Sequence, residues 1–360
     1  MKFYDIVQKC ILSDVSMALY RLPKDDRTFL IIDTEKANTL GFASLVSKYE
    51  GFVFHSYQKS DRNPVWFINP SFVITSDDKE YSDEFLAFVR NLSESPRENR
   101  VCNIDIKELD YKKDVNDLIN HINKEKLKKV VYSRTKTVND KGIKDALDVF
   151  VNLDKEYDDA FVFFVNITNE LSWIGASPEL LLSMDEDEMH TMALAGTQKC
   201  VGEDICDVVW ESKDKKEQEY VCDYIDSKLY GLDFIKEDTH TVKAGNVCHL
   251  QTKYKIQADD DEYWHIIKSL HPTPAVCGLP AREAIKAISS FEKHDRAYYS
   301  GFLGPLNIFS TTAMYVNLRS ARVLQNKMQL FVGGGITADS SACKEWEETE
   351  IKSQTIINIL

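Results

Sequence analysis

Long apolar runs are missing from this 360-residue sequence. The longest stretch of consecutive apolar residues, 160–165, is far too short to cross a membrane. The N-terminal twenty residues also lack the unbroken apolar segment of a secretory signal peptide. We therefore expect no membrane association and a cytoplasmic location.

Closely spaced cysteines are missing as well. The eight cysteines are scattered along the chain and form no CxxC pair. Zinc ribbons and disulfide frameworks need cysteines at characteristic spacings, so the sequence predicts neither, and free thiols fit a reducing compartment. Internal repeats and low-complexity tracts are also absent from the sequence.

Positive charge is in short supply. The chain has 44 lysines and arginines against 58 acidic residues, for a net charge of −14. This balance argues against general affinity for nucleic acid or anionic membranes. A small anionic substrate stays possible, because a pocket can be locally basic inside an acidic protein. The composition, 43% hydrophobic and 28% charged, is globular, and a chain this long can bury a deep site.

What the sequence does contain is a succession of short strand patterns. Residues 29–34, 52–57 and 130–138 are rich in β-branched and aromatic side chains, and further strands follow between 160 and 195 with short connections. These strands are consecutive rather than alternating with helices. The order favours an α+β fold with largely antiparallel sheets over a doubly wound fold.

Helical patterns occupy a few well-separated segments. Amphipathic spacing predicts helices over 83–92, 114–129, 212–231 and the C-terminal segment 341–360. We predict Ser212 as the N-cap of the third helix, which stops near Gly231. A further helix is predicted over 273–289, with Thr273 as N-cap and Pro274 in the first turn. Two strands, 312–324 and 328–335, precede the last helix.

Two of these helices carry paired carboxylates. Glu345, Glu348 and Lys352 share one face of the last helix, and Asp214 and Glu217 share a face of the helix that begins near 212. Two helices that each offer two carboxylates are a common way to build an oxygen-ligand site for Mg²⁺. The alternative is two solvated faces in an acidic protein.

Single charged residues at element boundaries are the next candidates. Glu179 follows a strand and a proline, so it is either a buried general acid with a raised pKa or a turn residue facing solvent. Lys128 and Lys129 sit where a helix ends and a strand begins. They either complement the helix dipole or place one amine in a buried pocket as a base.

The C-terminal half offers three features that suit an anion. His271 precedes the predicted proline-stiffened helix start, whose free amides could bind an anion, although a structural histidine fits equally well. Arg319 lies on a predicted strand and could hold a carboxylate or simply face solvent. The glycine run 333–335 lacks the spacing of a dinucleotide site and indicates close approach of backbone amides to an anion.

Together these pieces resemble the chorismate-utilising enzymes, the family of isochorismate, salicylate, anthranilate and aminodeoxychorismate synthases. The match runs from about residue 125 to 358. The resemblance implies a single α+β domain over 1–360, with a β-sandwich-like core of two packed sheets flanked by helices, and with residues 1–100 completing the sheets. It also implies a Mg²⁺-dependent site between the sheets. The motifs that carry it, in order, are KVVYSR, GASPELLLS, ALAGT, DKKEQEYV, HPTPAVCGLP, DRAYYSGFLG, NLRSA, FVGGGI and EWEETEIK.

The resemblance assigns roles position by position. Lys129 is similar to the lysine that activates water, and Glu179 to the general acid. Four carboxylates are similar to the metal site, two as direct ligands and two through bound water: Glu217 and Glu348, then Asp214 and Glu345. Seven residues are similar to substrate contacts, four at the carboxylates and three around the ring: Arg319, Tyr299, Gly333 and Lys352, then Gly196, Thr197 and His271.

The nucleophile separates the branches of this family. Aminodeoxychorismate synthases typically carry a lysine in a PIKGT-like motif, whereas this chain has ALAGT, with Ala195. Anthranilate synthases usually lack the water-activating lysine, whereas Lys129 is present here. The chain therefore resembles the water-using branch, and no glutaminase subunit is expected. EQEYV departs from the usual EHxxV of the family, but Glu217 is intact.

The resemblance thus implies an isomerase, an isochorismate synthase that uses Mg²⁺ to convert chorismate to isochorismate. Water adds at C2 and the C4 hydroxyl is lost. We expect a monomer or weak homodimer that serves menaquinone biosynthesis, because no carrier domain is attached. The alternatives are a siderophore-pathway isochorismate synthase, a salicylate synthase that also eliminates pyruvate, an ammonia-using synthase, and a non-catalytic chorismate-binding regulator.

Overall fold

The computed structural model describes residues 1–35, 37–40, 49–95, 103–185, 188–199, 208–244 and 247–360. Within these ranges the α-helices are α1 (Phe3–Leu12), α2 (Asp83–Asn91), α3 (Glu108–Glu125), α4 (Ala146–Glu156), α5 (Ser212–Lys228), α6 (Tyr263–Leu270), α7 (Ala281–Phe291) and α8 (Ala342–Ile357). The strands of the N-terminal half are β1 (Ser16–Arg21), β2 (Phe29–Asp33), β3 (Asn38–Leu40), β4 (Gly51–His55), β5 (Val65–Ile68), β6 (Phe72–Thr75), β7 (Lys129–Asn139), β8 (Phe161–Ile167) and β9 (Leu171–Ser177). The remaining strands are β10 (Leu180–Asp185), β11 (Glu188–Lys199), β12 (Asp233–Lys236), β13 (His240–Ala244), β14 (Val247–Gln257), β15 (Gly278–Leu279), β16 (Phe302–Leu306), β17 (Thr312–Val316), β18 (Ser320–Val323) and β19 (Lys327–Ile336).

The strands form two large sheets. The first sheet has the order β15-β7-β19-β18-β9-β8-β1-β2-β6, and the second has the order β12-β14-β11-β10-β17-β16-β4-β5-β3, with β13 also paired to β14. Neighbouring strands in the described residues pair antiparallel, as in the long ladders β7–β19 and β11–β14. The predicted α+β fold with two mostly antiparallel sheets is therefore confirmed.

Alternation along the strands builds separate cores on the two faces of the first sheet. On β8, Phe163 points into the core between the two sheets, whereas Phe164 points to the core on the opposite face. The inter-sheet core is aromatic, and Trp173 of β9 stacks on Phe331 of β19 with ring centroids 5.0 Å apart. Each such side chain contributes about 2 kcal/mol when fully buried. The outer faces are covered by helices, as Phe150 of α4 and Ile225 of α5 show.

The N-terminal strands belong to both sheets. β1, β2 and β6 extend the first sheet beyond β8, and β3, β4 and β5 extend the second sheet beyond β16. This part of the chain therefore completes the same two sheets that carry the motifs.

Several predicted elements are confirmed with small shifts. The strand predicted over 130–138 is β7, the helix predicted over 83–92 is α2, and the last helix is α8. The helix predicted from residue 114 begins earlier, at Glu108.

Two predicted helix starts are wrong. No helix begins at Thr273, because the chain there makes a turn in which Val276 N donates to Thr273 O, and β15 then pairs with β7. α7 begins only after this pairing, with Pro280 as its N-cap. In α5 the N-cap is Glu211 rather than Ser212, which already lies inside the first turn.

The thiols and the helices bear on two earlier expectations. Cys10, Cys222, Cys277 and Cys343 are free, but Cys248 is disulfide-bonded, so the expectation of free thiols is wrong at that residue. Among the described residues, no helix combines the length and the apolar character that a membrane span requires.

Candidate active site

Two neighbouring crossings carry the chain from one sheet to the other. Pro178 and Glu179 connect β9 of the first sheet to β10 of the second, and residues 317–319 connect β17 of the second sheet to β18 of the first. The crossings are tied together, because Val316 N donates to Glu179 O at 2.9 Å and Ala176 N donates to Arg319 O at 3.2 Å. An acidic and a basic side chain are thereby fixed at one end of the inter-sheet space.

Arg319 interrupts what the sequence predicts as one strand over 312–324. Its φ of +49° lies in the left-handed region, which a non-glycine residue seldom adopts. The turn at this residue lets the chain change sheets, so the predicted strand is two strands, β17 and β18. The guanidinium lies on the wall of a cavity rather than on a strand surface.

Glu179 is a buried carboxyl group on the same cavity. It is 3% exposed, and its Oε1 accepts a hydrogen bond from Thr273 Oγ1 at 3.4 Å. Burial raises the pKa of Glu179 to about 7, although Lys129, Thr273 and Lys352 oppose the shift. A carboxyl group in this state can donate a proton near neutral pH.

A bulge in β11 brings a histidine to Arg319. The register with β14 shifts between Ala195 and Gln198, and Gly196 takes a φ of +67°. The carbonyl of Gly196 then lies 2.7 Å from Nδ1 of His249, and Nε2 of His249 lies 3.2 Å from Nη2 of Arg319. Arginine can only donate, so Nε2 accepts and Nδ1 carries the hydrogen. Burial, reinforced by Arg319, lowers the pKa of His249 to about 3, which keeps the ring neutral.

The glycine run of β19 passes directly beneath the acidic residues. A Cβ at Gly334 would stand 2.9 Å from Oε2 of Glu345 and 3.4 Å from Oε1 of Glu348. A Cβ at Gly335 would stand 2.8 Å from Oε1 of Glu217. Glycine at these two positions leaves the space that the three carboxylates occupy, so α5 and α8 place their acidic faces over one short stretch of backbone.

A lysine holds each of these three carboxylates. Two pairs join different elements, with Lys129 of β7 2.7 Å from Glu217 of α5 and Lys213 of α5 2.7 Å from Glu345 of α8. The third lies within α8, where Lys352 is 2.6 Å from Glu348. Lys352 also donates to the carbonyl of Gly333 at 2.9 Å. Charged partners at these distances make strong hydrogen bonds.

The pKa shifts of the carboxylates differ with their surroundings. Burial alone would raise the pKa of Glu217, but the ammonium of Lys129 and two further lysines outweigh burial, so this pKa is lowered. Burial raises the pKa of Glu345, and the nearby carboxylate of Glu348 raises it further. Asp214 is half-buried; burial also raises its pKa, and it accepts a hydrogen bond from Gln198 at 2.7 Å.

The carboxylates suit a hard divalent cation, although they are not arranged as a finished cage. Among the described residues, no three His, Cys, Asp or Glu side chains already surround one point as metal ligands. Oε2 of Glu345 is buried and has no hydrogen-bond partner within the described part of the chain. A free carboxylate oxygen beside Glu348, over a glycine that leaves room, fits an ion such as Mg²⁺ that takes oxygen ligands and keeps several waters.

Most of the predicted site residues meet around two adjoining cavities. The reaction cavity is lined by eight of them: Glu179, Gly196, Thr197, Glu217, Tyr299, Arg319, Gly333 and Lys352. The second cavity shares Thr197 and is lined by the other three carboxylates: Asp214, Glu345 and Glu348. Lys129 is fully buried directly behind Glu217, with its Nζ on that carboxylate.

His271 is placed elsewhere. Its ring packs against Phe302 and His55, with ring centroids 5.1 and 5.5 Å away, and its Nε2 lies 3.3 Å from the carbonyl of Tyr57. His271 does not line the reaction cavity, and no helix begins directly after it, because α7 starts only at Ala281. The histidine that does line the cavity is His249, which sequence reasoning missed because a histidine in a strand carries no signal of which face meets a site.

A buried acid, a buried arginine and a cluster of lysine–carboxylate pairs around two adjoining cavities are the features of an enzyme-type site in an α+β fold. Comparison with known proteins places the chain in an enzyme family. The family profile described as "Chorismate binding enzyme" matches residues 67–360, and the chain belongs to this family.

Relatives within the family carry related names. Isochorismate synthase EntC of Escherichia coli is 28% identical over 210 residues, which is 56% of this chain and 54% of that protein, so the match spans about half the length of EntC. The vibriobactin-specific isochorismate synthase of Vibrio cholerae is 26% identical over 339 residues, covering 88% of this chain and 84% of that protein. The structure of MenF, the menaquinone-specific isochorismate synthase of Escherichia coli, has the same fold, with a TM-score of 0.77 at 19% identity over 98% of this chain and 91% of that one.

Proposed function

We propose that this protein is an isochorismate synthase that converts chorismate into isochorismate. The observation that carries the proposal is Glu179, a buried acid whose pKa is raised to about 7, on the same cavity as Arg319 and Glu217, with the amine of Lys129 bonded to Glu217 from behind. Acid and amine are then available within one site, as a reaction that adds water at one carbon and removes hydroxyl from another requires.

The proton transfers balance without any external reagent. Lys129 acts as a neutral amine, so the ammonium that pairs with Glu217 must first release a proton to solvent. The amine then takes a proton from the water that attacks C2 of the ring, and the ring double bonds shift. Glu179 gives a proton to the departing C4 hydroxyl, which leaves as water. Afterwards Lys129 releases its extra proton to solvent and Glu179 takes one up from solvent. The net reaction is therefore an isomerisation.

Substrate carboxylates are assigned to the cationic side chains. Arg319, oriented by the neutral ring of His249, offers a planar donor pair suited to a carboxylate. Lys352 lies across the same cavity beside the carbonyl of Gly333, and Tyr299 contributes a buried phenol wall. These fixed donors orient the ring between the acid and the amine.

Mg²⁺ is the cofactor that we assign to the acidic cluster. Glu217 and Glu348 would bind it directly, and Asp214 and Glu345 would hold its bound waters. When bound, a divalent ion offsets the charge of the ring carboxylate and fixes its orientation. Support comes from the unpartnered Oε2 of Glu345 and from the hard oxygen donors that surround Gly334.

Product analysis tests the function directly. Purified protein is incubated with chorismate and MgCl₂, and the products are separated by chromatography and identified by mass. Isochorismate without salicylate or pyruvate is expected. Salicylate with pyruvate would indicate a salicylate synthase, an ammonia-dependent product would indicate an ammonia-using synthase, and calorimetric binding of chorismate without turnover would indicate a regulator.

The remaining expectations are tested separately. Loss of menaquinone in a deletion strain, restored by the cloned gene, would support the menaquinone pathway. Fractionation of the host cell checks the cytoplasmic location. Sedimentation of the purified protein checks for a monomer or weak homodimer without a glutaminase subunit.

A further inference from the structure

Lys213 is a charged residue at the acidic cluster to which the proposed reaction gives no task. It lies on α5 one turn before Glu217 and reaches across to α8, where its Nζ donates to Oε1 of Glu345 at 2.7 Å. The side chain of Glu345 is 1% exposed, whereas that of Lys213 is 28% exposed. A partly solvated amine therefore neutralises a buried carboxylate.

The charges around Lys213 favour its ammonium form. Its Nζ lies 2.7 Å from Oε1 of Glu345, and the carboxylates of Glu348 and Glu217 also attract its positive charge. These three carboxylates are the ones gathered over Gly334 and Gly335. In the absence of a metal ion, the lysines of the cluster offset the mutual repulsion of these carboxylates.

The second carboxylate oxygen of Glu345 is left unpaired by this ion pair. Oε2 is buried and has no hydrogen-bond partner among the described residues, whereas Oε1 accepts a hydrogen bond from Lys213. A buried carboxylate oxygen without a partner is costly, typically by more than a hydrogen bond contributes when formed. The cluster is thus stabilised only in part by lysine, and a divalent cation would supply what is missing.

Lys213 stands on the side of the cluster away from the reaction cavity. It lines the second cavity, together with Asp214, Glu345 and Glu348, and it is not among the residues of the reaction cavity. A role in holding the substrate ring is therefore unsupported, whereas the contact of Lys213 with Glu345 is direct.

We infer that Lys213 is a built-in counter-ion of the metal-free enzyme, which neutralises Glu345 until a divalent cation with its bound waters takes over that carboxylate. The inference rests on the metal site of the proposed function. Because the ammonium and the cation compete for Glu345, Lys213 lowers the affinity for the metal and stabilises the metal-free fold. The site then stays folded when empty and releases its ion readily.

Binding of Mg²⁺ alone tests the inference without turnover. Isothermal titration with MgCl₂, in the absence of chorismate, is compared for wild type, Lys213→Met, Lys213→Arg and Lys216→Met. Lys213→Met should bind Mg²⁺ about tenfold more tightly, which is the factor expected from removing one charged hydrogen bond. Lys213→Arg keeps the charge and should bind as wild type does.

Lys216→Met is the matched control. Lys216 is an exposed lysine of α5 that lines the same cavity, and its removal changes the net charge equally. Thermal unfolding gives a second readout. Without metal, Lys213→Met should melt at a lower temperature than wild type, and MgCl₂ should raise its melting temperature by more.

The outcomes separate this inference from the proposed function. Equal Mg²⁺ affinity in wild type and Lys213→Met, weaker binding by Lys213→Met, or equal tightening in Lys216→Met would each overturn the counter-ion role. Absence of Mg²⁺ binding in all four proteins would overturn it together with the Mg²⁺ assignment. The reaction itself is decided by the product assay, which none of these results replaces.

Discussion

Two walls border the site, and they are held in different ways. The crossing wall consists of Glu179, Arg319 and His249, whose backbones are fixed by hydrogen bonds between adjacent strands and by a bulge in β11. The helix wall consists of the three lysine–carboxylate pairs formed by α5, α8 and β7: Lys129–Glu217, Lys213–Glu345 and Lys352–Glu348.

The two ways of holding the side chains suit two different chemical roles. The crossing wall has its geometry set once the sheets form, and its groups are a raised-pKa acid and a neutral imidazole. Such groups suit proton transfer and orientation, where small displacements are costly. The helix wall depends on ion pairs between side chains, and an incoming cation can replace one partner of each pair. It therefore suits reversible binding of a metal ion.

The largest effect is expected on the crossing wall. Glu179→Gln keeps the shape of the side chain but removes the proton donor, so kcat should fall on the order of 1,000-fold. Thr273→Val is the matched comparison, because it keeps the acid and removes only the 3.4 Å hydrogen bond. Its kcat should stay within about tenfold of wild type. Retention of more than a tenth of kcat by Glu179→Gln would remove the acid role.

Lys129→Ala should also lose water addition, by on the order of 100-fold or more in kcat, because the proposed base is gone. Lys128→Ala is the control, since Lys128 is exposed and its Nζ lies over the ring of Tyr220. Circular dichroism establishes that both variants are folded. Turnover close to wild type in folded Lys129→Ala would end this assignment.

The helix wall should respond to metal concentration where the crossing wall does not. Glu348→Gln removes a proposed ligand, so the Mg²⁺ concentration for half-maximal rate should rise on the order of 100-fold. Glu347→Gln, an exposed neighbour on α8, should leave it unchanged. Excess MgCl₂ should restore part of the rate to Glu348→Gln and none to Glu179→Gln. Full activity of Glu348→Gln at wild-type metal concentration would refute the ligand role.

The smallest test changes only pH. A general acid works in its protonated form, and the pKa of Glu179 is raised to about 7. The value of kcat/KM should therefore fall as pH rises above about 7, approaching about tenfold per pH unit. The small residual activity of Glu179→Gln should lack this decline. A wild-type profile that is flat between pH 6 and 9 would contradict the assignment.

Local pattern predicted most of the elements that carry the site. The β-branched alternation of residues 130–138 and the amphipathic spacing of the last helix are both satisfied locally, and both are confirmed as β7 and α8. The i, i+3 carboxylates and the i+4 partner Lys352 followed from the same helical period, whereas the other two lysine partners, Lys129 and Lys213, come from distant segments. Lys213 and Glu345 are paired only because α5 and α8 meet over β19.

The failures occur where tertiary contacts override local signals. Thr273 has the chemistry of an N-cap, but Gly278 and Leu279 pair with β7 before α7 starts, and the Thr273 hydroxyl donates to Glu179 instead. Residues 312–324 alternate like one strand, but the chain changes sheets at Arg319. His249 is one of many strand residues, and its place in the site depends on the bulge that sets the Gly196 carbonyl 2.7 Å from its Nδ1.

The two hydrogen bonds between the sheet crossings have a consequence for redesign. Glu179 and Arg319 share one backbone connection, through Val316 and Ala176, so any insertion or deletion in either crossing displaces both side chains together. Engineers who want to enlarge the cavity for a bulkier acid would have to lengthen both crossings in step. The helices can be altered one residue at a time.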